Sequence, residues 1–302
     1  MPEVIEVLKY ADFLRTKLKH NNITEVNVLN GRYKKHGDFK NLDELKKALP
    51  QKVKHIDTKG KFLYIEFENG MFLFTSLGLS GGWLWQNHDD KIQFGHTLKY
   101  IDKEQLDNYH KEAVNHRNVE FKTKDGSLYF YDTLSFGTLK ITTEEELEKK
   151  LATIGPDISQ ETTTFAIFKE QMEKVAGDKP VGNVLLNQRV ISGLGNYLRA
   201  DVLWLSKISP FRKMKDLTNT DLKHLWQNSR LLVWAKYNYK KGQKLGIIET
   251  GHPQLPEDYE REFYVYYQET DPKGHPVKRK NYTTGQIRDL FIGFQTYKSK
   301  VK

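Results

Sequence analysis

The sequence predicts an α+β fold: an N-terminal helix, a β-sandwich, a helical domain and a short basic module at the end. Three observations carry that prediction. Short apolar segments separated by Asn-Gly and Asp-Gly turns fill the region from 23 to 139. Apolar residues at helical spacing take over from 164 to 237. Basic and aromatic residues then interleave toward the C-terminus.

Composition bounds the function classes. A chain of 302 residues has room for two domains and an appendage. No apolar run approaches the roughly 20 residues needed to cross a bilayer, and there is no secretory h-region, so no membrane partner is expected. There are no cysteines, which excludes disulfides and thiolate zinc sites. No P-loop and no carboxylate cluster with metal spacing is present, which argues against a metal nuclease. The net charge of +9 suits a polyanionic partner, and residues 272–302 carry +7 of it. Tyr282, Phe291, Phe294 and Tyr297 are interleaved with those charges, whereas a disordered tail has few aromatics. A cationic patch of this kind is a nucleic-acid footprint.

In chain order, residues 3–18 carry Ile5, Val7, Leu8, Ala11, Leu14 and Leu18, the pattern of an amphipathic helix. Glu3 and Glu6 lie one turn apart at its start, where acids also complement the helix dipole. Strands follow. Residues 62–67 and 71–74 flank Asn69-Gly70, a strong hairpin signal. Residues 119–121 and 128–131 are joined through Asp125-Gly126. Ile154-Gly155-Pro156-Asp157 reads as a turn at a domain boundary. Helices are expected over 164–175 and 217–237, and an irregular connection over 240–258. The expected domains are 1–150, 151–246 and 247–302.

Between the two expected helices lies VGNVLLNQRVISGLGNYLRADVLWLSKISP, from 181 to 210. Apolar residues at helical spacing flank Gly193-Leu194-Gly195-Asn196, which reads as helix, tight turns, helix. Gly193 and Gly195 can take positive φ, letting the backbone approach a ligand closely. Asn196 would cap the second helix, whose free N–H groups make an anion site. An ordinary helical hairpin in a core has the same spacing.

The wording LLNQRVISGLGNYLRADVLW resembles the helix–two-turns–helix motif of the formamidopyrimidine-DNA glycosylase / endonuclease VIII family. The resemblance implies a β-sandwich with a flanking N-terminal helix, a helix–two-turns–helix domain and a β-hairpin finger. It implies a bifunctional DNA glycosylase and AP lyase acting as a monomer on double-stranded DNA with oxidised bases or abasic sites, intracellular and wherever DNA is kept. The family start is matched at Pro2, Glu3 and Glu6, with Val4-Ile5 in place of the usual Gly-Pro. Removal of Met1 would leave the secondary amine of Pro2, with an ordinary α-amino pKa of about 7.7–8.0. That amine can attack C1′ of the lesion sugar and form an iminium, after which β,δ-elimination cuts the strand. Glu3, with Glu6 as second candidate, would serve as acid and base.

Three further matches follow from the resemblance. Lys61 sits where the family has a strand lysine reaching the active site. Leu77-Gly78-Leu79-Ser80-Gly81 resembles the loop whose apolar residue fills the hole left by the flipped base, which makes Leu79 a wedge. Asp132-Thr133-Leu134-Ser135-Phe136-Gly137 resembles the Asp-x-Arg-Arg-Phe-Gly loop. Phe136 keeps its aromatic, and Leu134 replaces the arginine that faces the estranged base. Asn196 and Arg189 would clamp phosphates. Most members carry a four-cysteine zinc finger after the helical domain; Pro272-Lys273-Gly274-His275-Pro276 has no thiols, so a zincless finger and no cofactor are expected. Arg288, with Arg279 as runner-up, matches the finger arginine that enters the minor groove. The alternative is a non-catalytic protein that binds damaged DNA; retention of Pro2, Glu3 and Lys61 together argues against it, since binding alone does not need them.

Overall fold

The computed structural model describes residues 2–96, 102–249, 263–282 and 287–292, the backbone alone from 279 onward. The chain divides into two compact units, Met1–Ala152 and Thr153–Lys302.

The first unit opens with α1 (Val4–Leu18). Two short strands, β1 (Asn22–Ile23) and β2 (Glu25–Val28), precede helices α2 (Gly31–His36) and α3 (Leu42–Ala48). Strands β3 (Gln51–Lys59), β4 (Phe62–Phe67), β5 (Phe72–Ser76), β6 (Gly81–Asn87) and β7 (Ile92–Phe94) follow, then helix α4 (Lys103–Asn115). Strands β8 (Arg117–Thr123), β9 (Gly126–Asp132) and β10 (Thr138–Thr142) and helix α5 (Glu144–Ala152) complete the unit. The strands form two antiparallel five-stranded sheets, ordered β1-β3-β4-β5-β10 and β2-β8-β9-β6-β7. Ile56, Leu63, Ile65 and Leu73 of the first share one apolar core with Trp83, Val119, Phe121 and Phe130 of the second. That is the sandwich expected from the short apolar segments and their turns, and both hairpin signals fall at hairpins.

Three helices interrupt the region read as strands alone. The helices α2 and α3 have six and seven residues, too few for a helical period to stand out. Helix α4 buries only Ala113, so its apolar stripe is thin; its start is set by Asp102, whose carboxylate accepts the Gln105 N–H at 2.8 Å.

The core face of α1 is Val4, Ile5, Val7, Tyr10, Ala11, Leu14 and Leu18, all buried, and the helix lies against β3 and β4. Burying one such aliphatic side chain is worth about 1.5–3 kcal/mol, which fixes the helix on the sheet. Two polar ties set its register. Arg15 donates from Nε and Nη2 to the Ile56 carbonyl, at 3.0 and 2.7 Å. Tyr10 and Tyr131 share a buried hydroxyl contact of 2.9 Å, and Tyr109 of α4 adds one of 2.7 Å to Tyr131. Only glycine fits at 82, because a Cβ there would lie 2.2 Å from the Tyr10 hydroxyl.

The second unit contains α6 (Phe165–Glu173), α7 (Val181–Val184), α8 (Asn196–Leu205), α9 (Asn219–Lys244) and a hairpin of β11 (Lys278–Tyr282) with β12 (Ile287–Ile292). Thr164 caps α6, and Thr218 caps α9 in a box with Asp221. The helix α9 runs past the expected end at 237 into the stretch read as irregular. Its backbone breaks at Asn238 (φ −156°, ψ 92°), and Asn238 Oδ1 accepts the Lys241 N–H at 3.0 Å, which restarts the helix. The rest of that stretch beyond 249, and the aromatics Phe294 and Tyr297, lie outside the described residues.

Candidate nucleic-acid interface and catalytic terminus

Pro2 is half-buried immediately ahead of α1. Glu3 is the N-cap residue and has no exposed surface. Its carboxylate accepts the Glu6 N–H, and Glu6 Oε2 accepts the Glu3 N–H at 2.7 Å, a reciprocal capping box. Both acids thus hold the helix start, and Glu3 is in addition a carboxylate with no exposed surface directly after Pro2.

Lys61 lies in a turn and not on a strand, which corrects the sequence expectation. Strands β3 and β4 pair Lys59 with Phe62, leaving Gly60-Lys61 as a two-residue loop with Gly60 at φ 58°. The alternative lysine, Lys59, is committed to the fold, because Nζ donates to the Leu151 carbonyl at 2.8 Å.

The three residues expected to form a wedge stand out by exposure. Leu79, Leu134 and Phe136 are 44, 55 and 59% exposed, and among the described residues only Leu29 and Tyr267 are other exposed large apolar side chains. Their loops are laced together by Asp132, itself buried at the end of β9. Asp132 Oδ1 accepts Ser80 Oγ–H at 2.5 Å and the Leu134 N–H at 3.3 Å, and Oδ2 accepts the Gly137 N–H at 2.5 Å. Gly78, at φ 57°, lets the loops touch, since a Cβ there would come within 2.6 Å of the Gly137 nitrogen. Sequence reading missed Arg32, which donates to the Gly137 carbonyl at 3.4 Å and sets a cation at the foot of this loop. Its position in α2, far from the motif in sequence, left no signal.

In the second unit the first helix of the turn motif, α7, has only four residues, so the apolar run through Ile191 is mostly turn. The organiser is Gln188, which sequence reading passed over. Its Oε1 accepts the Gly193 N–H at 2.9 Å, and its Nε2 donates to the Leu194 carbonyl at 2.8 Å and the Leu186 carbonyl at 3.0 Å. One amide thus stitches both turns. Asn187 Oδ1 accepts the Arg189 N–H at 3.1 Å, which leads Arg189 out of the turn. Ser192 Oγ donates to the Gly155 carbonyl at 2.9 Å and anchors the motif on the boundary segment.

Two expectations about this turn change, one for Gly195 and one for Asn196. Gly193 takes positive φ (107°), but Gly195 is extended (φ −129°, ψ −155°) and is itself the N-cap of α8. Asn196 is the first helical residue, not the cap, so its side chain is not consumed by capping. It sits half-buried at the positive end of the helix dipole.

Helix α8 also carries Asp201, fully buried, whose carboxylate gathers the N–H groups of Tyr264, Val265 and Tyr266 at 3.1, 3.0 and 3.4 Å. Burial pushes this carboxyl up from its ordinary value, opposed by Lys236 and those three donors. The aromatic run from 263 is accordingly a folded turn packed on α8, with Tyr264 stacked on Trp204 at 4.8 Å. The side chains of Arg279 and Arg288 lie outside the described residues; the backbone places the first on β11 and the second on β12.

Comparison with known proteins follows the same division. The profile of the formamidopyrimidine-DNA glycosylase N-terminal domain matches residues 1–139, and that of the formamidopyrimidine-DNA glycosylase H2TH domain matches residues 154–236. The chain is 28% identical over 231 residues to a formamidopyrimidine-DNA glycosylase of Ligilactobacillus salivarius, covering 76% of this chain and 74% of that protein. It is 26% identical over 225 residues to an endonuclease 8 of Escherichia coli, covering 74% of each. Among solved structures, Lactococcus lactis formamidopyrimidine-DNA glycosylase bound to DNA containing an AP site shares the fold, with a TM-score of 0.70 at 20% identity over 97% of this chain and 98% of that one. The same enzyme with DNA containing an oxidised pyrimidine gives a TM-score of 0.71 at 22% identity over the same shares. With both profiles matched in order over most of its length, the chain belongs to the formamidopyrimidine-DNA glycosylase / endonuclease VIII family.

Proposed function

We propose that this protein finds oxidised bases in double-stranded DNA, excises them and cuts the strand at the abasic site, working inside the cell as a monomer. The observation that carries the catalytic assignment is the start of α1: Pro2 directly precedes a carboxylate, Glu3, with no exposed surface. Burial with a hydrogen-bonded partner keeps that carboxylate available for proton transfer at one place.

The reading gives each residue a step. With Met1 removed, the Pro2 nitrogen attacks C1′, the C1′–N bond to the damaged base breaks, and the base leaves with a proton. Glu3 supplies a proton to the opening sugar ring oxygen. The resulting iminium acidifies the C2′ proton; its loss expels the 3′ phosphate, and a second elimination expels the 5′ phosphate. Water then hydrolyses the iminium and frees the amine. Lys61 contacts phosphate or the reacting sugar. Leu79, Leu134 and Phe136 fill the space that the flipped base leaves. Asn196 and Arg189 hold phosphates, and the hairpin brings Arg288 or Arg279 to the minor groove.

Borohydride reduces an iminium to a stable amine. Treatment during reaction with a lesion duplex should give a covalent protein–DNA adduct that mass spectrometry maps to Pro2. An adduct on a lysine, with Pro2→Gly trapped at the normal rate, removes the assignment.

A further inference from the structure

Fingers that bind zinc close their turns around the ion. The residues here do not fit one: the chain has no cysteine, and no group of three or more metal-binding side chains occurs among the described residues. His275 Nδ1 lies 3.4 Å from Asp271 Oδ1, which is two donors where a structural zinc site takes four. Another device must close the turn.

Asp271 is 2% exposed. Its Oδ1 accepts the backbone N–H groups of Lys273 and His275, at 2.8 and 3.0 Å. The backbone closes around it: the Asp271 N–H donates to the His275 carbonyl at 2.8 Å, and the Gly274 N–H to the Asp271 carbonyl at 2.9 Å, with Gly274 at φ 78°. The Val277 N–H donates to the Glu269 carbonyl at 2.8 Å, and Thr270 pairs with Pro276. Residues 269–277 are thus a closed turn that runs directly into β11. The second oxygen, Oδ2, accepts the indole N–H of Trp204 at 3.2 Å. A buried carboxylate persists only when its oxygens are hydrogen-bonded, and charge-assisted bonds are the strong ones.

Trp204 and Asp201 are three residues apart and share a face of α8. Asp201 holds the strand of chain before the turn, and Trp204 holds the turn itself. The same helix begins at Asn196, so about 12 Å of helix separates the phosphate turn from Trp204 at the finger base.

We propose that Asp271 is a positioning residue: its carboxylate closes the 271–275 turn and hooks it to Trp204, so that α8 sets the register between the phosphate turn and the hairpin that bears Arg279 and Arg288. The proposal rests on reading the chain as an enzyme of damaged DNA. Asp271→Asn keeps the size of the side chain, but one amide oxygen cannot serve three donors. Trp204→Phe keeps a ring against Tyr264 and removes the indole N–H.

Full-length Asp271→Asn, Trp204→Phe and the double variant are to be compared for affinity to a duplex carrying an abasic analogue, and for single-turnover cleavage at saturating lesion duplex. Each single variant should raise Kd about tenfold, the double variant no further, with the saturating rate kept within about twofold. The salt dependence of binding should fall by about one contact. Unchanged Kd in Asp271→Asn, additive losses in the double variant, or a lost saturating rate at unchanged Kd each overturns the assignment. Where Asp271→Asn fails to fold, Trp204→Phe decides alone. A wild-type chain that neither binds nor cuts damaged duplex overturns the functional reading itself; a wild-type chain that cuts beside an unaffected Asp271→Asn overturns this inference only.

Discussion

Ser80 Oγ–H donates to the buried carboxylate of Asp132 at 2.5 Å and accepts the Leu134 N–H at 2.9 Å, so one hydroxyl couples the two loops that carry Leu79, Leu134 and Phe136. Apolar side chains held out in water gain nothing until they meet a partner, and a floppy wedge would lose on ordering what it gains on insertion. The hydroxyl and carboxylate order the loops in advance. Ser80→Ala should take one donor from the buried Asp132 carboxylate and leave the Leu134 N–H only its 3.3 Å bond to Asp132 Oδ1, a loss of about 1 kcal/mol. Single-turnover excision of an oxidised base should slow about tenfold, while cleavage of a preformed abasic site changes by less than about threefold, because the empty site needs less wedging. Equal slowing of both reactions contradicts this role.

Glu3 caps α1 and is proposed to serve the chemistry, and these can be separated. Glu3→Gln retains an oxygen to accept the Glu6 N–H, so the helix start should survive and the melting temperature should move little. Removal of the acid should slow base excision by about 10²–10⁴-fold, the range of general acid–base catalysis. Processing of a preformed abasic site should continue. Parallel loss of both activities with an early melt assigns Glu3 to the fold alone.

Gln188 and Asn196 should differ in what they lose. Gln188→Ala leaves the Gly193 N–H and Leu194 carbonyl without this partner, so the second unit should melt early, by about 1–3 kcal/mol. Gly195, not Asn196, is the cap of α8, so Asn196→Ala should melt normally. Its affinity for damaged and undamaged duplex should weaken alike, since phosphate contacts position without reading sequence. An early melt with normal binding in Asn196→Ala would return the residue to a structural role.

Leu134 cannot hydrogen-bond an estranged base. A good bidentate contact discriminates by about 1–3 kcal/mol, and a wedge without it should discriminate weakly. Excision opposite each of the four bases should vary little, with or without EDTA, and Leu134→Arg should introduce a preference. A strong preference for one opposite base in the unaltered protein, or inactivation by the chelator, refutes the reading of the loop or of the finger.

Local chemistry made the fold legible. Short apolar runs such as 62–67 and the Asn69-Gly70 and Asp125-Gly126 turns act over a few residues and can be read where they stand. The motif from 181 to 210 and the Pro2-Glu3 start are contiguous, so they too were visible. What tertiary structure decided joins residues far apart in the chain. The carboxylate of Asp132 laces a loop 52 residues away, and Arg32 reaches Gly137 across 105 residues. Gln188, which carries no signal in the sequence, stitches two turns. Asp271 and Trp204 meet across 67 residues. No period or propensity encodes such pairs, because each forms only after the sheets and helices have packed and excluded water from the groups that meet.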